Sequence, residues 1–369
     1  MKIGLIHYSS PPVAGGVERV IEEHAKLFAD HGHEVTVFCS RGECFDSRVA
    51  VVNLSDDEAK LRELLARQSL VFIHNVMTMP FDLKLTEALW RLADELCNVC
   101  FVAWIHDMAV CSDDYPSAPE LLGRIHPRMR YVAVSDLRRR QFLKLNPDAG
   151  ERCGVVPNGC DPARVLGLTP EIAELAKKHA LLNGGILLFH PTRLLRRKNV
   201  EFSLAVTAAI KGAGERVKLL ITGAEDGHNP LSVAYEKELR GIQEQLGLRD
   251  DVVFIRDHMS ISDMDLASLY RMSGALLFPS QSEGFGLPII EAALHGLSVF
   301  CQDIEPQNSL LKENVFYFPP DATPGQVASA ILKQLLSSPS FRERKHVLER
   351  YAWDTIWREH LSALLSAVE

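Results

Sequence analysis

The sequence has no excess of positive charge: 40 lysines and arginines face 48 aspartates and glutamates, for a formal net charge of -8. Nucleic acid is therefore excluded as a bulk partner, because gripping a phosphate backbone needs a basic face. No apolar run approaches the ~20 residues that span a bilayer. The apolar stretch that follows Met1 and Lys2, Ile3 to His7, is too short for the core of a signal peptide. The expectation is a cytoplasmic protein, free or loosely held on a membrane. Beside Cys97 and Cys100 there is no second cysteine pair or histidine pair at zinc-site spacing, so the 8 cysteines read as small buried hydrophobes or idle thiols. No Gly-x-Gly-x-x-Gly follows the first apolar strand, and Pro11 and Pro12 interrupt the loop there, which argues against a dinucleotide dehydrogenase. Short repeats and low-complexity segments are also missing.

What is present is the balance of an ordinary soluble enzyme: 47% hydrophobic and 24% charged residues over 369 positions, enough for two α/β domains. Apolar strands alternate with amphipathic helices, the pattern of parallel sheets wrapped by helices. The first set of strands reads as Ile3–His7, Val35–Phe38, Leu70–Ile73, Phe101–Ile105, Tyr131–Val134 and Gly154–Val156. Between the first two, Val17, Val20, Ile21, His24, Leu27 and Phe28 recur at helical spacing, and Gly32 suits a left-handed cap. The turn-rich stretch Pro157 to Pro162 is a hinge. After it the strands read as Ile186–Phe189, Val217–Ile221, Val252–Ile255, Ala275–Phe278 and Val299–Cys301. The division is thus an N-terminal doubly wound domain, 1–162, and a C-terminal one, 163–350. Trp353, Ile356, Trp357, His360, Leu361, Leu364 and Leu365 then form one apolar helical stripe that must dock on something.

The strongest motif runs from Pro279 to Glu291, after the strand Ala275–Phe278 and before a helical run. Pro288 suits the first turn of a helix, where a missing N–H costs nothing. Gly284 and Gly286 let the backbone approach a ligand, and the N–H groups from Gly286 through Leu287 to Ile289 then point at an anion, aided by the helix dipole. At the carboxyl end of a sheet this is where open α/β folds bind ligands. Glu283 and Glu291 flank the cradle. Carboxylates accept hydrogen bonds from hydroxyls, so the arrangement suits a ligand with sugars on both sides of a diphosphate. The bland reading is a capped helix with two surface glutamates. A second motif, His190 to Asn199, follows the first strand of the second half. Arg193 and Lys198 are the cations placed to meet the same diphosphate and stabilise charge as it leaves, while Arg196 and Arg197 read as solvated.

With these residues in view, the chain resembles glycosyltransferase family 4, with the GT-B fold, over nearly its whole length. Gly15-Gly16-Val17-Glu18 resembles the family's first-loop element. His106-Asp107 is similar to its histidine at the end of an N-domain strand, and Val134-Ser135, Val155 to Gly159, the Arg193 and Lys198 pair and Glu283 to Glu291 match as well. The resemblance implies α/β architecture with two Rossmann-like domains facing across a cleft, and a last helix, 351–369, that returns to the first domain. It implies a nucleotide-diphosphate sugar held by the C-terminal domain. Glu283 with Gly284, Phe285, Gly286 and Leu287 would contact donor sugar and phosphate, Glu291 the ribose, and Arg193 with Lys198 the diphosphate. His106 would bond a hydroxyl of the transferred sugar, Gly16 would let the first loop close on the donor's diphosphate or on the acceptor, and Gly15 would lie on the acceptor side. Gly223 falls near the nucleotide. The stretch Thr222 to Pro230 is longer and more polar than the family's usual short turn, and Ile255 to Met259 lacks a common glycine, so the base stays open.

The expected reaction is transfer of a hexose, from GDP-mannose or UDP-glucose, to a hydroxyl with retention of anomeric configuration and with no cofactor or metal. The acceptor is polar or anionic: a small glycerate-type glycoside, a glycan or a lipid. A nucleotide-sugar epimerase and a non-catalytic nucleotide-sugar sensor are the rival readings. Asp263-Met264-Asp265 imitates a metal-binding Asp-x-Asp but precedes a helical run, so its aspartates read as caps and first-turn charges. His31 and His33 read as turn residues. Arg124, Arg128, Arg130, Arg138, Arg139, Arg140 and Lys144 form either a solvated helix face or a site for an anionic acceptor or headgroup.

Overall fold

The computed structural model describes residues 1–55, 57–115, 120–223 and 230–366. The chain forms two compact units, one from Met1–Cys160 with Tyr351–Glu369, the other from Asp161–Arg350.

The first unit is built on seven strands, β1 (Lys2–Ile6), β2 (Glu34–Cys39), β3 (Val49–Asn53), β4 (Leu70–His74), β5 (Cys100–Ile105), β6 (Met129–Ala133) and β7 (Cys153–Val155). All pair in parallel, in the order β3-β2-β1-β4-β5-β6-β7. Helices cover both faces of such a sheet, so its central strands are apolar on both sides. Every residue of β4, Leu-Val-Phe-Ile-His, is buried for this reason. The strand order reverses between β1 and β4, which opens a crevice at their carboxyl ends. His7 directly follows β1, and His74 ends β4.

The helix Gly16–Asp30 buries Val20, Ile21, His24, Ala25, Leu27 and Phe28 along one stripe. Gly32 follows it with φ of +81°, the left-handed cap anticipated for that glycine. The last helix belongs to this same unit. It runs through Trp353–Ile356, a π turn at Trp357–Leu361, and Ser362–Ser366. Trp353, Ile356, Leu361 and Leu365 join the cluster formed by Ile3, Leu5, Val20, Phe28 and Val35. Trp357 stacks on His31 with centroids 3.6 Å apart, so His31 is a docking platform as well as a turn residue.

The second unit holds six parallel strands, β8 (Ile186–His190), β9 (Val217–Ile221), β10 (Val252–Phe254), β11 (Ala275–Phe278), β12 (Ser298–Gln302) and β13 (Phe316–Phe318). Their order is β10-β9-β8-β11-β12-β13, so the reversal falls between β8 and β11. One core cluster centres on Leu188, Leu204, Leu219 and Leu277 and another on Phe189, Leu269, Leu276 and Ile289, in keeping with a sheet covered on both faces.

Most strands fall where apolar runs place them, shifted by a residue or two. β3 and β13 are absent from the sequence reading. Both carry short apolar runs, Val49 to Val52 and Phe316 to Phe318, but each is an edge strand, β3 with only Val49 fully buried and β13 only three residues long. Among the described residues no helix is long and apolar enough to cross a membrane.

Candidate active site

In the second unit the site forms at the switch point, from the loops that leave β8 and β11. The loop after β8 turns through a short 3-10 segment, Arg196–Lys198, and Asn199 (φ +55°) then starts the helix Val200–Gly212. The loop after β11 reaches the helix Leu287–Leu294 through Gly286, whose φ is +103°. That backbone geometry favours glycine, and an added Cβ would lie 3.2 Å from Leu310 Cδ1. Gly284 faces open space and is not required by packing.

The two loops are tied together. The Gln281 N–H donates to the Arg197 carbonyl at 2.8 Å, and the Arg197 guanidinium donates to the Ser282 carbonyl at 2.7 Å. Lys198 Nζ donates to Glu283 Oε1 and lies 5.5 Å from the centre of the Phe278 ring. Arg197 approaches the second oxygen of Glu283 at 3.4 Å. Arg197 is therefore part of the carboxylate's setting, which corrects its reading as a merely solvated charge. Arg196 instead pairs with Glu238 at 2.6 Å. Arg193 is exposed, and among the described residues its guanidinium has no hydrogen bond or ion pair.

The anion cradle is smaller than the sequence suggests. The Ile289 N–H is already bonded to the Gly286 carbonyl at 3.0 Å, and Pro288 has no N–H. Among the described residues Gly286 and Leu287 keep amides without a backbone acceptor, and the dipole of the helix favours an anion at its start. Phe285 and Leu287 are half exposed beside them. Glu291 sits in the second turn of that helix and accepts a hydrogen bond from the Tyr270 hydroxyl at 2.7 Å. Tyr270 is buried, stacks on His295, and has its hydroxyl pKa pushed up by burial and by the Glu291 carboxylate. Neither partner is apparent from the spacing of the motif.

Gly223 also adopts positive φ, +68°, and its N–H donates to the Thr192 carbonyl at 3.0 Å, which places it against the β8 loop. The Ala224 to Asn229 part of the polar stretch lies outside the described residues. His190, at the end of β8, is fully buried with Nδ1 2.9 Å from Ser203 Oγ. Burial, then the nearby Lys198 charge, lowers its pKa to about 3.

In the first unit the crevice between β1 and β4 is lined by histidines. His106 follows β5, is 8% exposed, and has Nε2 3.1 Å from His74 Nδ1. Its loop is fixed from two sides. Asn75 Oδ1 accepts from the His106 and Asp107 amides at 2.9 and 3.1 Å, and Arg138 donates to the His106 carbonyl at 3.1 Å and to Asp107 at 2.5 Å. Burial holds the pKa of His106 down to about 3 and that of His74 far below the ordinary value, so both are neutral. His7 donates its Nδ1–H to the His74 carbonyl at 2.9 Å, and burial lowers its pKa despite that hydrogen bond and Glu18. Glu18 folds back over the start of its helix to accept from Ser9 Oγ at 2.6 Å. A Cβ on Gly15 would strike that carboxylate at 1.9 Å, whereas one on Gly16 would meet nothing within 4 Å. A side chain at Gly15 would displace the Glu18 carboxylate from Ser9, whereas one at Gly16 would disturb nothing in this structure.

The arginine-rich stretch is largely committed to its own unit. Arg139 donates to the Cys153 and Gly150 carbonyls, Arg128 to the Cys97 carbonyl, and Arg138 to the His106 loop. Asp265 completes a capping box with Ser262 and accepts from Thr169 at 2.5 Å. Among the described residues no group of three or more His, Cys, Asp or Glu side chains could hold a metal ion.

Both units are doubly wound α/β scaffolds, and in the second Lys198 and Arg197 meet Glu283 beside an open helix start. Residues 14–164 match the family Glycosyltransferase Family 4, and residues 171–352 match Glycosyl transferases group 1. The chain belongs to glycosyltransferase family 4, of the GT-B fold class. It is 27% identical over 292 residues to an uncharacterized glycosyltransferase of Methanocaldococcus jannaschii, covering 74% of this chain and 71% of that one. It is 47% identical over 72 residues to the serotype-specific mannosyltransferase WbdA of Escherichia coli, covering 20% of this chain and 9% of WbdA. This chain therefore matches under a tenth of WbdA's length. Anabaena HepE, solved in complex with UDP, is 20% identical, with 99% of this chain and 100% of that chain covered at a TM-score of 0.39.

Proposed function

We propose that the chain is a retaining, metal-independent glycosyltransferase that moves a hexose from a nucleotide-diphosphate sugar to an acceptor hydroxyl, forming an α-glycosidic bond. One observation carries this reading. At the switch point of the second sheet, Lys198 engages Glu283 beside the open amides of Gly286 and Leu287. Departure of a nucleoside diphosphate builds negative charge on phosphate and positive charge on the sugar. Arg193, Lys198 and the two amides are suited to the first, which is the role a metal would otherwise fill. Glu283 would accept from hydroxyls of the donor sugar. Glu291 has one oxygen engaged by Tyr270 and the other available to a ribose. From the first unit, His106 would bond a hydroxyl of the transferred sugar, Gly16 would let the first loop close on the diphosphate or acceptor, and Gly15 would lie on the acceptor side.

A retaining glycosidase places two carboxylates about 5 Å apart for acid and nucleophile work. Here each carboxylate is engaged by a different partner, Glu283 by Lys198 and Glu291 by Tyr270. This favours front-side attack: the bond from the anomeric carbon to phosphate breaks, the bond to the acceptor oxygen forms, and the acceptor proton passes to the leaving phosphate. GDP-mannose and UDP-glucose are the donors proposed; the name of the Escherichia coli relative favours mannose. The acceptor is a small polar glycoside or glycerate-type solute, a glycan or a lipid.

The test is incubation with each nucleotide sugar, with and without a chelator, while nucleoside diphosphate release and the anomeric proton coupling of the product are followed by NMR. An α product formed at an unchanged rate in chelator is expected. A β product, or loss of turnover in chelator, overturns retention or metal independence respectively. Binding of a donor with no turnover, or its conversion without any acceptor, would turn the reading toward a sensor or an epimerase.

A further inference from the structure

The contact between His74 and His106 has a direction that the unsatisfied groups around it decide. Both rings are neutral, so a single proton is shared between His74 Nδ1 and His106 Nε2, 3.1 Å apart. If His106 were the donor, the proton of His74 would sit on Nε2. That atom is sealed from solvent and has no hydrogen-bond partner. The Trp104 ring stacks on His74, and its Nε1–H is likewise buried and unpartnered. His24, 5.6 Å away between ring centres, has both nitrogens buried without partners. A second stranded N–H beside the Trp104 donor is the costlier state, since orphaned buried donors are rarer than under-satisfied acceptors. With the proton on His74 Nδ1, Nε2 keeps only a lone pair. His106 Nε2 then accepts, and the proton of His106 is forced onto Nδ1. His106 Nδ1 is not among the sealed, unpartnered atoms, and it is the end of the ring that remains open.

We infer that His74 is a positioning residue that locks His106 as its Nδ1–H tautomer, so that His106 meets the sugar as a hydrogen-bond donor. This rests on the proposed role of His106, but the tautomer itself is measurable without substrate. The backbone anchors support the same end. Asn75, at φ +60°, holds the His106 and Asp107 amides, and Arg138 holds the His106 carbonyl, so the backbone that carries the ring is fixed beside His74.

The test is a long-range proton–nitrogen correlation spectrum of the histidine-labelled full chain near pH 7.5. The His106 signals are assigned by their loss in His106→Gln, which is necessary among 14 histidines. A protonated Nδ1 and a bare Nε2 on His106 are expected. The reverse pattern in the native protein overturns the inference outright, with no variant needed. His74→Asn keeps an amide donor near the position of Nδ1 and should retain both the tautomer and turnover. His74→Leu removes the donor, and should release His106 to the other tautomer and lower kcat by about tenfold, the worth of one hydrogen bond, with donor KM little changed. An altered tautomer with unaltered kcat in His74→Leu overturns the positioning role. Full activity in His106→Ala defeats instead the assignment of His106 to the site, and leaves the measured tautomer standing.

Discussion

Lys198 donates its ammonium to Glu283 across 85 residues of sequence, with only 13% and 9% of the two side chains exposed. The pair joins the loops of two strands adjacent in the sheet but far apart in the chain. It presets the cation and the carboxylate before any ligand arrives. Lys198→Ala should lower kcat by about 10²–10³-fold, as expected when one stabiliser of transition-state charge is removed. Folding should survive better than in Glu283→Ala, because Glu283 without Lys198 keeps Arg197 at 3.4 Å, whereas Lys198 without Glu283 is left nearly buried and unpaired. Steady-state kinetics together with thermal melts check both halves. A near-normal kcat in Lys198→Ala would remove it from the reaction.

Tyr270 fixes Glu291 from below the helix, at 2.7 Å, and occupies one of its oxygens. Tyr270→Phe should free that carboxylate to rotate. The expected result is about 5–10-fold weaker binding of nucleoside diphosphate, with kcat at saturation nearly kept, because one hydrogen bond's worth of positioning is lost from binding alone. Calorimetric titration of the variant with the diphosphate measures this. Unchanged affinity would mean that Glu291 does not hold the ribose.

Much of the scaffold was legible in the residues. The run from Ala275 to Phe278 followed by Gly284, Gly286 and Pro288 announced a strand, a loop and a helix start, and β8 with its basic loop was equally plain. Both features are local, and local patterns are what a sequence carries openly. Strand order was not legible, since it depends on which apolar strands pair. Hence the β8–β11 adjacency that puts Lys198 on Glu283 could not be seen. Nothing in the sequence marks Tyr270, because its hydroxyl finds Glu291 only through tertiary packing. The Ile289 amide looked available until the tight turn at Gly286 claimed it. β3 and β13 are apolar over Val49 to Val52 and Phe316 to Phe318, but so short a run does not by itself tell an edge strand from a loop.

Gly286 and Gly284 sit two residues apart but should respond differently to the same change. Gly286 has φ of +103° and little space beside Leu310 and Ile289. Gly286→Ala should cost about 1–3 kcal/mol of stability from left-handed strain, and should weaken diphosphate binding by moving the amides at the helix start. A Cβ on Gly284 meets nothing within 4 Å, so Gly284→Ala should change stability by less than about 0.5 kcal/mol. Urea unfolding of both variants decides the matter. Equal losses would show that the turn is not the constraint described.

Acid should unfold the protein through its buried histidines. His24, His106 and His190 each have a pKa held at about 3 chiefly by burial, while in the unfolded chain each returns to the ordinary value of about 6.5. Above that value neither state is protonated and the full stability is present. As pH falls from about 6.5 toward about 3, the unfolded chain takes up protons that the folded chain refuses, so stability drops by about 1.4 kcal/mol per pH unit for each such histidine. His24 isolates the effect, because neither of its nitrogens has a partner and its ring lies among Phe28, Trp104 and Trp353. His24→Phe should therefore leave the unfolding free energy near its native value at pH 7.5, apart from a packing offset, and reduce its slope with pH by about 1.4 kcal/mol per unit between pH 6 and 4. Urea titrations at several pH values give that slope directly. An unchanged slope would mean that His24 is protonated in the folded state or is reached by solvent.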